Sequence, residues 1–413
     1  MSSTLRPTPM DLTLHHMAQT RPSPSMTVGA ALHLDGAAPR LADLRTHITA
    51  HLHRLPRLTH YLKGPGLRAR WAHEPNPDLE SRIRERRTEP GEEKLETALR
   101  DLLTHPLPSD GPLWDLWLLH GHTPGRYVLC YRAHHTSHDG GGMLNTLIRL
   151  FGTSAAGAAD VPASTAGLSA YARTFKGMLG SFAHNDIWND PERPLHGNRV
   201  NTWVEVPTAA LRTVGAARGG SSNDAVLAAL AGALRTWSSE YWPRAADRPV
   251  PAVVMVDLRR PGEEQDRPGN LFTFAPISLP CQQPTRDTRL DAVIAATRAL
   301  RSPAQRNAMR TMSTLTPARV FHALATRLST PSRAIIDTSH VSLHQPMHYQ
   351  GNPVTGVQPL TWLPLSHPIS IAACSYSGVT TVHFVIDQAL PEPQRIPVLW
   401  KQAATRPGVQ EGP

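Results

Sequence analysis

The chain has 413 residues, with 42 basic against 33 acidic side chains and a formal net charge of +9. Hydrophobic residues make up 40% and the mean hydropathy is −0.31, so a sizeable core can be buried, which excludes a disordered or collagen-like chain. This length exceeds one ordinary domain and predicts two, and no stretch approaches the roughly 18–20 uninterrupted apolar residues of a membrane span.

In chain order, residues 26–34 (MTVGAALHL) read as a strand. Leu41, Leu44, Ile48, Leu52 and Leu55 step by three or four and mark one face of a helix. Residues 113–119 (LWDLWLL) and 126–133 (RYVLCYRA) are two further strands, and 141–150 is helical, closing a first half near Phe151. Residues 152–167 are small and polar, a linker. A helix is expected over 168–183, a turn at 193–198 and a strand over 200–206. Ser221 and Ser222 are good N-caps for a helix whose apolar stripe is Val226, Leu227, Leu230, Leu234 and Trp237. Strands at 251–258 and 270–279, helices at 290–300 and 317–328, a hairpin of 369–375 and 379–386 about Ser377-Gly378, and a closing helix at 391–402 complete a mixed α/β pattern. The expected division is 1–151 as an N-terminal lobe, 152–197 as a crossover and 198–413 as a C-terminal lobe.

The basic residues are almost all arginine; only Lys63, Lys94, Lys176 and Lys401 are lysine. They are spread along the chain apart from Arg82, Arg84, Arg86 and Arg87, which is not the concentrated patch of a nucleic-acid binder. A basic surface equally suits anionic CoA or a phosphopantetheinyl carrier protein. Cys130, Cys281 and Cys374 are far apart with no CxxC, so neither a disulfide framework nor a cysteine zinc site is expected, and Cys130 and Cys374, in apolar strand-like surroundings, read as small packed hydrophobes. Residues 1–9 contain no apolar run, so no signal peptide is expected and the cytoplasm is the default compartment.

One segment carries chemistry: His134-His135-Thr136-Ser137-His138-Asp139-Gly140, followed by two more glycines. It leaves an apolar strand directly. A neutral imidazole near its ordinary pKa is a suitable proton acceptor at neutral pH. Asp139 could orient the loop, and Gly140 permits a tight turn. Two other readings stand beside this one: a structural histidine pair on a loop, and a metal site using His134 and His138, four residues apart. The glycines that follow break the helix such a metal site needs, and HExxH is absent. GxSxG, P-loop and GxGxxG patterns are also absent, which leaves a histidine base with no evident enzyme nucleophile and points to a substrate hydroxyl or amine as the attacking group.

The His134–Gly140 segment matches HHxxxDG, the motif shared by CoA-dependent acyltransferases and the condensation domains of peptide synthetases. Its surroundings resemble the bacterial wax ester synthase/diacylglycerol acyltransferase family. Pro112-Leu113-Trp114 resembles that family's PLW segment, Met10-Asp11 with residues 26–31 its "PLD … MHVG" region, and Leu55-Pro56-Arg57-Leu58 its "PRLR". Residues 223–228 (NDAVLA) resemble its "NDVVLA", and Gly269-Asn270 and residues 375–378 (SYSG) its "GN" and "SYNG".

The resemblance implies a two-lobed chloramphenicol-acetyltransferase-like fold, each lobe a mixed sheet flanked by helices, with the motif on a tunnel between them. It implies His135 as general base, acting on an acceptor hydroxyl that attacks an acyl-CoA or acyl-carrier-protein thioester directly, with no cofactor and no metal. Asp139 would pair with Arg259 and hold the loop. His134 would shape the loop more than act as a second base. Asn270, Ser339 and Trp114 are candidate substrate or oxyanion contacts, while Asn223 and Asp224 are expected to cap a helix. Asp257 stands where the family commonly has an apolar or small residue.

The "SNVPGP" segment of the family survives only as Ser339 and Val341. The chain is shorter than typical wax synthases, and the stretch around 152–190 is alanine-rich. These departures favour ester formation on a smaller or more polar substrate in specialised metabolism over storage-lipid synthesis. Amide formation, long-chain wax ester or triacylglycerol synthesis, a degenerate binding module and metal-dependent hydrolysis are the alternatives. Two lobes in one chain make a monomer sufficient.

Overall fold

The computed structural model describes residues 5–20, 26–153, 166–180, 184–260, 267–328, 330–333 and 335–405. The first half runs α1 (Pro9–Thr20), β1 (Thr27–Asp35), α2 (Leu41–His51), α3 (Pro56–Thr59), β2 (His60–Lys63), β3 (Arg70–His73), α4 (Leu79–Arg82), β4 (Ile83–Arg87), α5 (Glu92–Thr104), β5 (Trp114–His120), β6 (Arg126–His134) and α6 (Gly140–Phe151). Then come α7 (Leu168–Gly180), β7 (Arg199–Pro207), α8 (Thr208–Ala216), α9 (Ser222–Tyr241), β8 (Val250–Asp257), β9 (Phe272–Leu279), α10 (Arg286–Thr297), α11 (Pro303–Leu315) and α12 (Ala318–Leu328). The chain closes with β10 (Ile336–Ser342), β11 (His348–Tyr349), β12 (Asn352–Leu360), β13 (Ile369–Tyr376), β14 (Val379–Asp387) and α13 (Arg395–Thr405). Most of the expected linker, residues 154–165, and the end of the expected helix at 181–183 lie outside the described residues.

Two six-stranded sheets form the frame, ordered β11-β12-β1-β6-β5-β4 and β7-β14-β13-β10-β8-β9. The first sheet is covered on both faces. Ala30, Leu32, Leu116, Leu118 and Leu129 pack with Leu44 and Ile48 of α2 and Leu147 of α6. The alternate residues Ala31, Leu119, Val128 and Cys130 pack with Leu95, Leu99 and Leu102 of α5. This two-sided burial explains why β1 and β6 read as continuous apolar runs. The second sheet packs on α9, whose Val226, Leu227, Leu230, Leu234 and Trp237 enter one core with Ile336, Ile371 and Phe384. α9 starts on a capping box: Ser221 Oγ accepts from Asp224 N and Asp224 Oδ2 accepts from Ser221 N. Ser377 and Gly378, at φ 47° and 84°, make the tight turn between β13 and β14.

The chain does not divide in space as 1–151 and 198–413. β12 pairs antiparallel with β1, Gly29 opposite Leu360, so residues 348–360 of the second half complete the first sheet. The crossover also contributes to the second core through Ile187 and Trp188. The arginine cluster is an edge feature. β4 is an outer strand, where charge discourages further strand addition. Arg82, just before it, is fully buried and donates to the carbonyls of Asp78, Asp110 and Pro112. The three cysteines are free and buried.

Candidate active site

β6 ends at His134, and its exit is pinned at once: His135 N donates to Met26 O at 2.8 Å and Ser137 N to His134 O at 3.0 Å. Asp139 then caps α6, its Oδ1 accepting from Gly142 N at 2.7 Å. A loop from the second half lies on this turn, with Gly269 N donating to Ser137 O at 2.9 Å. The motif therefore sits where the halves meet.

His135 is held by Asn270. The two N–H groups of the amide nitrogen Nδ2 face three pure acceptors, Asp11 Oδ1 (2.9 Å), His135 O (2.8 Å) and Thr136 O (3.2 Å), one hydrogen being shared between two of them. The atom left facing His135 Nδ1, at 3.0 Å, is thus the carbonyl Oδ1, so Nδ1 carries the proton and Nε2 is a bare lone pair. Nε2 has no hydrogen-bond partner among the described residues, and the ring lies between Phe272 (5.7 Å between centroids) and Trp362 (6.0 Å). Burial is the main influence on the imidazole and pushes its pKa below the ordinary histidine value. Burial likewise pushes Asp11, behind Asn270, up to about 6.

Asp139 makes no hydrogen bond to His135 and ties the halves together. Its carboxylate accepts from Arg259 Nη2 (2.7 and 2.8 Å) and from Leu271 N (2.7 Å). Burial would raise its pKa, but the Arg259 charge and these hydrogen bonds win and hold it at about 2. Asp257 has a role that its sequence position did not reveal: its Oδ1 accepts from both Arg259 N and Nη1. Buried Arg57 packs beside this network. The glycine requirement falls one and two residues beyond Gly140. A Cβ on Gly140 would meet only Val341 at 3.8 Å, whereas one on Gly141 would lie 2.8 Å from both Arg259 Nη1 and Asp257 Oδ2, and one on Gly142 2.7 Å from Arg57 Nε. Gly141→Ala is therefore expected to lower stability by about 1–3 kcal/mol, read by urea denaturation, while Gly140→Ala stays within about 0.5 kcal/mol.

The remaining predicted residues separate. His134 Nδ1 accepts from Thr136 N at 3.2 Å, and burial pushes its pKa down to about 4; it braces the turn. His138 is buried between Tyr131 Oη and Ser137 Oγ. His134 and His138 do not share a helix face, and among the described residues no three His, Cys, Asp or Glu side chains converge as metal ligands. Ser339 lines the cavity described below. Trp114 does not. Its indole is buried with Tyr131 and donates to Leu58 O at 2.9 Å, because the inward face of β5 points at the α2/α6 core. Asn270 has no free N–H for an oxyanion, since its backbone N is also bound to Asp11. Asp224 is the capping residue expected. Asp11 and Arg57, seen in the sequence only as parts of flanking motifs, join the site's hydrogen-bonding and charge network.

A cavity of about 1140 Å³ opens on His135. Met10, Leu14, Met17, Phe272, Phe274 and Trp362 make an apolar wall. β8 and β10 pair only through Ile336–Thr338 with Ala252–Val254, and the cavity is lined by both strands past that point. Ser339, His340, Ser370 and the His367–Asp337 pair (2.6 Å) add polar groups.

Residues 8–163 match the wax ester synthase/diacylglycerol acyltransferase catalytic domain and residues 268–403 the C-terminal domain of the same family. A provisionally named diacylglycerol O-acyltransferase of Mycobacterium tuberculosis is 26% identical over 334 residues, 70% of this chain and 73% of that one. The fold is similar to that of a wax ester synthase/diacylglycerol acyltransferase from Marinobacter aquaeolei (TM-score 0.66, 19% identity, 97% of this chain and 98% of that one). It is also similar to the starter condensation domain of rhizomide synthetase, determined with C8-CoA and Leu-SNAC (TM-score 0.67, 14% identity, 98% and 93%). Both halves of the chain thus lead to one conclusion: this is an acyltransferase that belongs to the wax ester synthase/diacylglycerol acyltransferase family.

Proposed function

We propose that the protein forms an ester by moving an acyl group directly from a pantetheine thioester, acyl-CoA or acyl carrier protein, to the hydroxyl of a small-molecule alcohol. The observation that carries this reading is the bare Nε2 of His135, fixed by Asn270 and open to a cavity large enough for both substrates. Nε2 takes the hydroxyl proton as the oxygen attacks the thioester carbonyl. The tetrahedral intermediate collapses, breaking the C–S bond, and the departing thiolate takes the proton back from the His135 imidazolium, which restores the free base. A positioned base of this kind contributes roughly 10²–10⁴-fold, and alignment of the two substrates supplies a further share.

Asp139 and Arg259 hold the loop that aims His135, and the hydroxyl of Ser339 is available to substrate. The apolar wall suits an alkyl or aryl acyl group. The polar groups opposite it support an acceptor of specialised metabolism over a plain storage lipid. Both halves of the chain supply the site, so one copy is sufficient.

The test is a panel of acyl-CoAs and acyl carrier proteins against alcohols and amines, followed by thiol release and product mass. An ester product is expected. An amide formed in preference would overturn the reading in favour of condensation chemistry, and turnover confined to palmitoyl-CoA with long fatty alcohols would overturn the specialised-metabolism part.

A further inference from the structure

Asp11 is almost fully buried, and its two carboxylate oxygens serve different masters. Oδ2 accepts from Thr8 N at 2.7 Å while Asp11 N donates to Thr8 Oγ1 at 3.1 Å, a reciprocal cap on α1. Oδ1 accepts from Asn270 N at 2.7 Å and from Asn270 Nδ2 at 2.9 Å. Gly269, at φ 90°, makes this approach possible, since a Cβ there would lie 2.6 Å from the Asp11 carboxylate.

We infer that Asp11 is a positioning residue that acts through Asn270 to keep His135 in the tautomer with a bare Nε2. The inference rests on the ester-forming reading only for its kinetic consequence. An amide side chain can present either end to a neighbour. If Asn270 turned over, its NH2 would face His135 Nδ1, which would then have to accept, and the imidazole proton would move to Nε2, where it blocks proton abstraction. Three acceptors oppose that flip. The backbone oxygens of His135 and Thr136 are neutral, whereas Asp11 carries the charge, and hydrogen bonds to a charged acceptor are the stronger. The first helix of the chain, a loop 259 positions away and the histidine motif are thereby joined in one relay. A cap alone does not account for it, because the cap uses only Oδ2 and Asp11 N.

The experiment compares wild type, Asp11→Ala, Asp11→Asn and Thr8→Val. Imidazole 15N shifts of histidine-labelled protein give the tautomer, with His135→Ala to assign the resonance, and initial rates give kcat and KM. Wild type is expected to show Nδ1–H and an unprotonated Nε2. Asp11→Ala should mix the tautomers and lower kcat about 10- to 100-fold with KM within threefold. Asp11→Asn keeps the shape and has one carbonyl oxygen to share between Asn270 and Thr8 N, so it should move both readouts the same way by a smaller amount, and it decides the matter if the alanine variant does not fold. Thr8→Val removes one capping bond and should leave tautomer and kcat within threefold of wild type.

A wild-type tautomer and kcat in the folded Asp11 variants, or an equal loss in Thr8→Val, would overturn the inference. The tautomer needs no turnover to be read. If no thioester and alcohol react with wild type, the ester reading fails while the positioning of His135 is still tested.

Discussion

Replacing His135 with alanine is expected to lower kcat/KM by roughly 10²–10⁴-fold while the protein stays folded. The side chain is braced by one hydrogen bond and two ring contacts, so its loss removes the proposed base without opening the core. A second signature separates a base from a binding group. Burial disfavours the imidazolium and lowers the His135 pKa, so the unprotonated fraction is already large at neutral pH. The acid limb of the wild-type pH profile should therefore fall below the ordinary histidine value of about 6.5, and that limb should be missing from the residual activity of the variant. Activity within tenfold of wild type, or an unchanged acid limb, would contradict the assignment.

Asp139→Asn is expected to destabilise the protein by about 3 kcal/mol at neutral pH, measured by urea denaturation. Asparagine keeps the shape and can still cap α6 with its one carbonyl oxygen, but its NH2 then faces Leu271 N, so the change removes the charge together with one hydrogen bond. The lower end of the range for a broken buried pair applies because Asp257 still faces Arg259. The sign of the pH dependence follows from the depressed pKa. The contribution of Asp139 is fully present above its unfolded value near 3.9 and is lost as pH falls through its folded value of about 2. The stability gap between wild type and variant should thus be flat from about pH 5 to 8 and close in strong acid. Because Leu271 and Arg259 belong to the second half, activity should fall with stability. A loss below 1 kcal/mol would mean that the pair does not hold the halves together.

Much of this was legible in the sequence, and the reason is local. β1, β5, β6, β8, β13 and β14 are short apolar runs bounded by turn residues, and α9 carries both a capping box and a stripe. The motif announces itself because its histidines, aspartate and glycines are contiguous. What escaped is nonlocal. Nothing near residues 348–360 says that they pair with β1 more than 300 positions earlier, so the second half looked like one unit. Asp11 looked like part of a flanking motif, since its partner Asn270 is remote. Trp114 lies close to the motif in a family-like segment, but its direction is set by the alternation of β5 and by Leu58 O. The motif pattern points to Gly140 for a turn, whereas the close packing is at Gly141 and Gly142, against the side chains of Arg57, Asp257 and Arg259.

In the direct transfer proposed above, His135 takes a proton and never carries the acyl group. The most direct measurement is the intact mass of the wild-type protein after incubation with a reactive acyl-CoA alone, with free thiol followed in parallel. Direct transfer predicts an unchanged protein mass and thiol release that begins only when the alcohol is added. A mass increase of one acyl group, with a stoichiometric burst of thiol and no acceptor present, would contradict it.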